Sequence, residues 1–250
     1  MRRLVVSFVA LCLLVVPVAF GATSVAVAIP RGEFILVGSA RQPGTTIHLT
    51  SDAMQQRGAA WYSSQVPVAD GFTAQFQFRI HHRLFIGADG IAFLIQNSSS
   101  TAIGESGDGM GYAKGDPAGG VSPGIPNSVA VEFDTYKNFF RGKSDPNSRH
   151  ISVHTRGLQP NSVDESASIG STGREKLPPF ANKHGRTVTI TYVPGQLSVA
   201  IDGHLWLVVA LDLSTTLSLN DGKAWVGFTA STGGDSETQN ILSFSFTPTP

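Results

Sequence analysis

Cysteine and charge are scarce in this sequence. The single cysteine among 250 residues, Cys12, lies in an apolar N-terminal stretch, so the rest of the chain has no disulfide, thiol nucleophile or thiolate metal site. Charged residues make up 14%, against about 25% in an ordinary soluble domain. The 18 Lys and Arg balance 18 Asp and Glu. Without a basic excess, a nucleic-acid partner is excluded.

Sustained helical periodicity is also missing. No segment repeats its apolar residues every 3.6 positions, and 27 Gly and 14 Pro disfavour long helices. Hydrophobic residues at 41%, with 15 Phe among them, suffice for one large core and exclude disorder. The composition therefore favours an all-β domain.

The N-terminus has the pattern of a secretory signal peptide. Arg2 and Arg3 precede an apolar stretch over residues 4–20, and small residues follow. We predict a signal peptide over residues 1–28, cleaved near 21–28, and a secreted, extracellular protein. The alternative is an uncleaved anchor, although the stretch is short for a span of roughly 20 residues. No second hydrophobic span exists in the sequence, so we expect no membrane span in the mature protein.

Alternation of apolar and polar residues predicts most of the mature chain as strands. The predicted strands are residues 46–50, 59–63, 72–80, 91–96, 129–134, 150–155, 187–193, 197–201, 205–210, 225–230 and 242–246. The dipeptides Pro194-Gly195 and Asp202-Gly203 mark tight turns that join three of them into a meander. One-sided alternation predicts two antiparallel sheets packed face to face in one domain, residues 30–247.

The segment SVAVEFDTYKN, residues 128–138, carries the most chemical information. On a strand, Val129, Val131 and Phe133 point to the core. The polar side chains share the opposite face, where neighbours two apart are roughly 6.5–7 Å from each other. These polar residues are Glu132, Asp134, Tyr136 and Asn138. Two carboxylates at this spacing can flank a cation.

Two further candidate ligands follow this segment. If strands 129–134 and 150–155 pair, the connecting loop returns Asp145 and His150 to the same end as Asp134. Oxygen ligands alone suit Ca²⁺, whereas a set with one His suits Mn²⁺ or another divalent transition ion. Without a cation the clustered carboxylates would repel one another. The alternative is a solvated polar sheet face with a structural His150.

Three motifs, in order, resemble the legume-type (L-type) lectin family. They are VAVEFDTYKN at 129–138 with Asp145-Pro and His150-Ile, ADGIAF at 88–93, and VGFTASTG at 226–233 followed by ILSFSF at 241–246. They span most of the mature chain. The resemblance implies a concanavalin-like jelly-roll sandwich of two large antiparallel sheets.

The resemblance also implies a pair of metal ions. Glu132 and His150 would bind the transition ion, usually Mn²⁺, and Asp134 and Asp145 would bridge it to Ca²⁺. Asn138 and the main-chain carbonyl of Tyr136 would complete the calcium ligands. In such proteins the metals do no chemistry; they hold the sugar loops in shape, which preorganises a binding site.

Carbohydrate contacts follow from the same resemblance. Asp89, after a cis peptide, would accept hydrogen bonds from two sugar hydroxyls. Asn138 would donate its amide, and the ring of Tyr136 would stack on the pyranose. The glycine loop at 104–112 matches a loop in which a backbone N–H donates to the sugar, and Gly107 or Gly109 is the candidate donor. The expected partners are glycans or glycoproteins, and the sequence does not decide whether the protein forms a homodimer.

Two departures and two rival functions stay open. His154 stands where the family has an aspartate, and the serine that the family places behind the metals has no clear counterpart. Some glycanases on a similar sandwich use Glu-x-Asp-x-Glu, but Tyr136 occupies the place of the last glutamate. The other rival is a non-sugar adhesive domain. The sequence thus predicts a non-catalytic lectin rather than an enzyme.

Overall fold

A computed structural model describes residues 28–82, 87–115, 122–138 and 145–249. Within these ranges the chain forms fourteen strands and very little helix. The first strands are β1 (Phe34–Gly38), β2 (Ile47–Thr50), β3 (Arg57–Tyr62), β4 (Val66–Pro67), β5 (Phe72–His81), β6 (Gly90–Gln96) and β7 (Ser128–Asp134). The others are β8 (His150–Thr155), β9 (Ser168–Ser171), β10 (Arg186–Val193), β11 (Gly195–Ile201), β12 (His204–Leu211), β13 (Lys223–Ser231) and β14 (Thr238–Pro248).

The strands make two antiparallel sheets. In the described part of the chain, the front sheet has the order β1-β3-β13-β6-β7-β8-β9, with β4 beside β13, and the back sheet has the order β12-β11-β10-β5-β14-β2. The predicted jelly-roll sandwich is confirmed. So is the meander: β10, β11 and β12 pair in sequence. Asp202 and Gly203, both at positive φ, make the second turn.

Phenylalanine fills the space between the sheets. Phe76 of β5 stacks on Phe93 of β6 with ring centroids 5.9 Å apart and meets Phe228 of β13 edge-on at 4.9 Å. Phe78 lies 5.5 Å from Phe133 of β7. Edge-on and offset rings are the favoured aromatic contacts. They fix β7, and with it the polar residues on its other face, against the back sheet.

The outer face of the front sheet is covered rather than solvated. A second apolar cluster lies there, in which Trp61, Leu94 and Ala130 of three strands pack against Met110 and Tyr112 of the glycine-rich segment. The indole nitrogen of Trp61 donates to the Ala102 carbonyl at 2.8 Å. The segment that the sequence presents as a long loop is therefore packed on the sheet, where it encloses the polar face of β7.

Three strands were not expected from the alternation. These are β1, the two-residue β4, and β9, which lies inside the predicted loop 157–185. A short α1 helix, Leu213–Thr216, begins at Asp212, whose carboxylate accepts from the backbone N–H groups of Ser214 and Thr215. No helix among the described residues is long and apolar enough to cross a membrane. The predicted signal peptide lies outside the described residues except for Ala28.

Candidate carbohydrate and metal site

Four neighbouring strands of the front sheet end at one place. Ser231 of β13 pairs with Gly90 of β6, Gly90 with Asp134 of β7, and Asp134 with His150 of β8. The expected pairing of β7 with β8 is thus confirmed. Because the strands are antiparallel neighbours, the loops that leave these four positions crowd together at one edge of the sheet. All the candidate ligands from the sequence belong to this edge.

Asp134, Asp145 and His150 form the centre of the site. One ligand atom from each lies within 4.8 Å of the other two, and all three residues are buried. Backbone N–H groups fix the carboxylates: Tyr136 donates to Asp134 Oδ1 at 2.7 Å, and Asn138 donates to Asp145 Oδ2. His150 Nδ1 lies 3.2 Å from the Asn147 carbonyl. Since a carbonyl only accepts, Nδ1 carries the hydrogen, and Nε2 presents its lone pair.

Burial and mutual repulsion make the two carboxyl groups poor acids. Burial raises the pKa of Asp134 well above its ordinary value, and the nearby Asp145 and Glu132 carboxylates add to the rise. Burial also raises the pKa of Asp145, to about 6. A bound cation would offset both effects, because it favours the ionised form. The chemistry of the donor set, two carboxylates and an imidazole, fits a divalent ion.

Glu132 lies beside this trio but is directed elsewhere. One carboxylate oxygen accepts from the Tyr112 hydroxyl; the other accepts from Ser152 Oγ at 2.9 Å and lies 3.0 Å from His154 Nε2. Burial opposes ionisation of Glu132, but His154 outweighs it and lowers the pKa of this carboxyl. In turn Glu132 raises the pKa of His154 against the effect of burial. The two form a buried ion pair.

The remaining predicted metal ligands follow β7. Tyr136 and Asn138 are half-buried and lie on the backbone turn that cradles the two aspartates. Residues 139–144, which connect this turn to Asp145, lie outside the described ranges. The site thus brings Asp134, Asp145 and His150 together, holds Tyr136 and Asn138 next to them, and turns Glu132 toward His154.

Asp89 connects the sugar loop to the metal cluster. The peptide bond between Ala88 and Asp89 is cis, as the resemblance implies. The Asp89 N–H donates to the Ser231 carbonyl at 3.0 Å, and its own carbonyl accepts from Thr135 N–H at 3.1 Å. Asp89 is therefore fixed between the end of β13 and the residue after Asp134. Any shift of the Asp134–Asn138 turn is transmitted to Asp89 through the Thr135 hydrogen bond.

The glycine loop forms the wall next to Asp89. Gly107 and Gly109 belong to a single 3₁₀ turn, Gly107–Gly109. A Cβ on Gly233 would lie 3.2 Å from Gly107 Cα and 3.3 Å from Asp89 Oδ2, so the three residues adjoin one another. However, the Gly107 N–H donates to the Thr232 carbonyl at 3.0 Å, and the Gly109 N–H donates to the Ser106 carbonyl at 3.4 Å. Both N–H groups are used inside the protein, so the expectation that one of them donates to a sugar is corrected here.

Three residues that matter at this site were missed. Tyr112 and His154 surround Glu132, and Glu165 lies 3.5 Å from His150 Nε2. Strand alternation places His150, Ser152 and His154 on one face, and Ser152 is the cross-strand partner of Glu132. The pairing of His154 with Glu132 was thus accessible from the pattern. Nothing in the sequence pattern indicated Glu165, because it follows a long irregular segment.

Comparison with known proteins agrees with this geometry. Residues 28–245 match the model of the legume lectin beta-barrel domain. A mannose-specific lectin of Centrolobium microchaete is 32% identical over 199 residues, which cover 76% of this chain and 72% of that protein. A mannose/glucose-specific lectin of Centrolobium tomentosum is 31% identical over 239 residues, 86% of this chain and 89% of that protein.

Solved structures agree as well. A lectin from Bauhinia forficata in complex with GalNAc superimposes with a TM-score of 0.69 at 25% identity, covering 88% of this chain and 94% of the other. The fold and the arrangement of strand ends define an L-type lectin domain. The chain belongs to the legume lectin family.

Proposed function

We propose that this protein is an exported, non-catalytic lectin whose sugar site is built on Asp89 and held in shape by a pair of metal ions. The observation that carries the proposal is the hydrogen bond from Thr135 N–H to the Asp89 carbonyl. It joins the residue that would bind sugar to the turn that would bind metal. The N-terminal sequence pattern supports export.

The metal ions would be Ca²⁺ and Mn²⁺ or another divalent transition ion. Asp134 and Asp145 would contribute oxygens to both ions, and His150 Nε2 would bind the transition ion, with Glu132 as its remaining ligand from the resemblance. Asn138 and the Tyr136 carbonyl would complete the calcium site. Two observations support this fit: the ligand atoms of Asp134, Asp145 and His150 lie within 4.8 Å of one another, and the pKa of each carboxyl is raised when no cation is bound. The ions would supply rigidity to the loops.

Carbohydrate would lie over Asp89, against the wall that Gly107, Gly109 and Gly233 form. The Asp89 carboxylate would accept from two hydroxyl groups, Asn138 would donate its side-chain amide, and Tyr136 would pack against the apolar face of the ring. Gly107 and Gly109 would contribute shape rather than N–H donors. Because relatives near 30% identity are described as mannose-specific or mannose/glucose-specific, these two hexoses are the first to test.

The acidic residues of β7 support binding rather than hydrolysis. A retaining glycosidase needs two carboxyl groups about 5–5.5 Å apart on either side of the scissile bond. Glu132 is only 2% exposed and is enclosed by Tyr112, Ser152 and His154, so a substrate has no access to it. Asp134 lies at the metal cluster, and Tyr136 stands where a third carboxylate would be needed.

Weak single sites would gain strength from pairing of two copies. In the described part of the chain, β2 and β12 are the terminal strands of the back sheet. A homodimer that joins two back sheets edge to edge would present two sugar sites to clustered glycans and raise their avidity. Light scattering of the mature protein measures this directly.

A glycan array tests the proposed function. The mature protein is applied with Ca²⁺ and Mn²⁺, and again after metal stripping with EDTA. We expect binding to mannose- or glucose-bearing glycans that disappears with EDTA and returns when both metals are restored. Binding that is unchanged by EDTA would contradict the metal-dependent site. The absence of binding by a folded, metal-loaded protein would favour a non-sugar adhesive domain.

A further inference from the structure

We infer that Glu165 is an additional protein ligand of the transition-ion site, one that the family resemblance does not supply. The inference rests on the proposed metal site and adds a third carboxylate near His150. Its basis is the position and environment of Glu165.

Glu165 reaches the site from an element that the sequence did not reveal. It opens the short 3₁₀ turn Glu165–Ala167, which packs against β8 and leads into β9. Since β9 pairs with β8, this turn is anchored along the strand that carries His150. The side chain lies on the covered face of the front sheet and places Oε1 3.5 Å from His150 Nε2.

The two facing atoms lack a hydrogen between them. Glu165 Oε1 is buried and accepts no hydrogen bond from any described residue. His150 holds its hydrogen on Nδ1, toward the Asn147 carbonyl, so Nε2 also presents a lone pair. A buried carboxylate oxygen without a partner is costly. A cation shared by the oxygen and the imidazole nitrogen satisfies both.

The separation suits two ligands of one ion. Bonds of about 2.0–2.3 Å place ligand atoms no more than about 4.6 Å apart, and 3.5 Å falls within that limit. Glu165 does not belong to the trio whose atoms all lie within 4.8 Å of one another. Its side chain has three rotatable bonds and is 23% exposed, which leaves it room to turn toward the ion at His150.

The charges around the site also favour a further carboxylate. Glu132 is engaged in a buried ion pair with His154, so part of its charge is already compensated inside the protein. Asp134 and Asp145 alone then face two divalent cations. A carboxylate from Glu165 brings the charge of the site closer to balance, and it provides the hard oxygen donor that Mn²⁺ prefers beside one imidazole.

The test combines Mn²⁺ affinity with a count of the water molecules on the bound ion. Calorimetric titration of the mature protein with Mn²⁺, in the presence of Ca²⁺, compares wild type with Glu165→Gln. We expect the affinity to fall at least tenfold. The exposed Glu175 offers a control of equal charge, and Glu175→Gln should stay within twofold of wild type. Thermal unfolding in EDTA verifies that each variant is folded.

Water-proton relaxation of the Mn²⁺-loaded protein separates a direct ligand from a remote one. Glu165→Ala opens one coordination position, so we expect one more exchangeable water on the ion than in wild type. Equal water counts would overturn the inference even if the affinity falls, because the carboxylate would then act from outside the coordination sphere. Equal affinities would overturn it too. Failure of wild type to bind Mn²⁺ at all would instead contradict the proposed metal site.

Discussion

Replacing Asp145 by Asn should have opposite effects on stability without and with metal. Burial raises the pKa of this carboxyl from 3.8 to about 6, and one pKa unit corresponds to about 1.36 kcal/mol. Keeping it ionised at pH 7.5 therefore costs the metal-free protein at most about 3 kcal/mol. Since solvent screens part of the charge, we expect about 1–2 kcal/mol. Asparagine avoids this cost and can still accept from the Asn138 N–H.

In EDTA at pH 7.5 the variant should be more stable than wild type by about 1–2 kcal/mol, or about 2–8 °C in Tm. With Ca²⁺ and Mn²⁺ at about 100 times their Kd, wild type gains about 2.7 kcal/mol per ion. The variant loses a ligand of both ions and gains far less, so the order reverses.

Differential scanning calorimetry in EDTA and in metal measures this reversal. The exposed Asp70 provides the control, because Asp70→Asn should change stability by less than about 0.5 kcal/mol in both buffers. The reasoning would be refuted if Asp145→Asn were less stable than wild type in EDTA. It would also be refuted if the variant kept the full metal-induced rise in Tm.

Further predictions concern pH, the buried ion pair and the core. The raised carboxyl pKa values mean that protons compete with metal, so Ca²⁺ and Mn²⁺ affinity by calorimetry should rise from pH 5 to 7 and level off above the Asp145 pKa of about 6; equal affinity at pH 5 and 7 would contradict this. Through the same groups, the metal-free protein should lose stability as pH rises from 4 to 6, measured by urea unfolding. His154→Ala leaves Glu132 buried without its cationic partner and should cost about 3–5 kcal/mol in urea unfolding, whereas a loss under 1 kcal/mol would show that the pair is not ionised. Phe76→Ala should cost about 3–5 kcal/mol because its ring contacts Phe93 and Phe228 across the two sheets.

Much of the fold was predictable because alternation and turn residues act locally. The β10-β11-β12 meander follows from two dipeptide turns, and the pairing of β7 with β8 follows from the short loop between them. Strands β1, β4 and β9 were missed for a physical reason. The burial pattern of β1 and β9 does not alternate cleanly, and β4 is only two residues long, so their pairing depends on neighbours far along the chain.

The site was predictable to the extent that strand register controls it. Asp134 and His150 are cross-strand partners, and Asp145 returns on the loop between them. Hydrogen bonds that come from remote segments are a different matter. The Thr232 carbonyl that engages the Gly107 N–H is 125 positions away, and Glu165 reaches His150 from another loop. Such contacts depend on how loops pack on the covered sheet face, which no local pattern encodes.

The most direct test of the central claim is calorimetric titration of methyl α-mannoside into metal-loaded wild type and Asp89→Asn. The substitution keeps the shape of the side chain but removes the charge that would accept two sugar hydroxyls. Hydrogen bonds to a charged group contribute about 1.5–3 kcal/mol each. We therefore predict at least a 100-fold loss of affinity, with Tm unchanged and with Asp70→Asn equal to wild type. Equal affinity in Asp89→Asn and wild type would contradict the assignment of the sugar site.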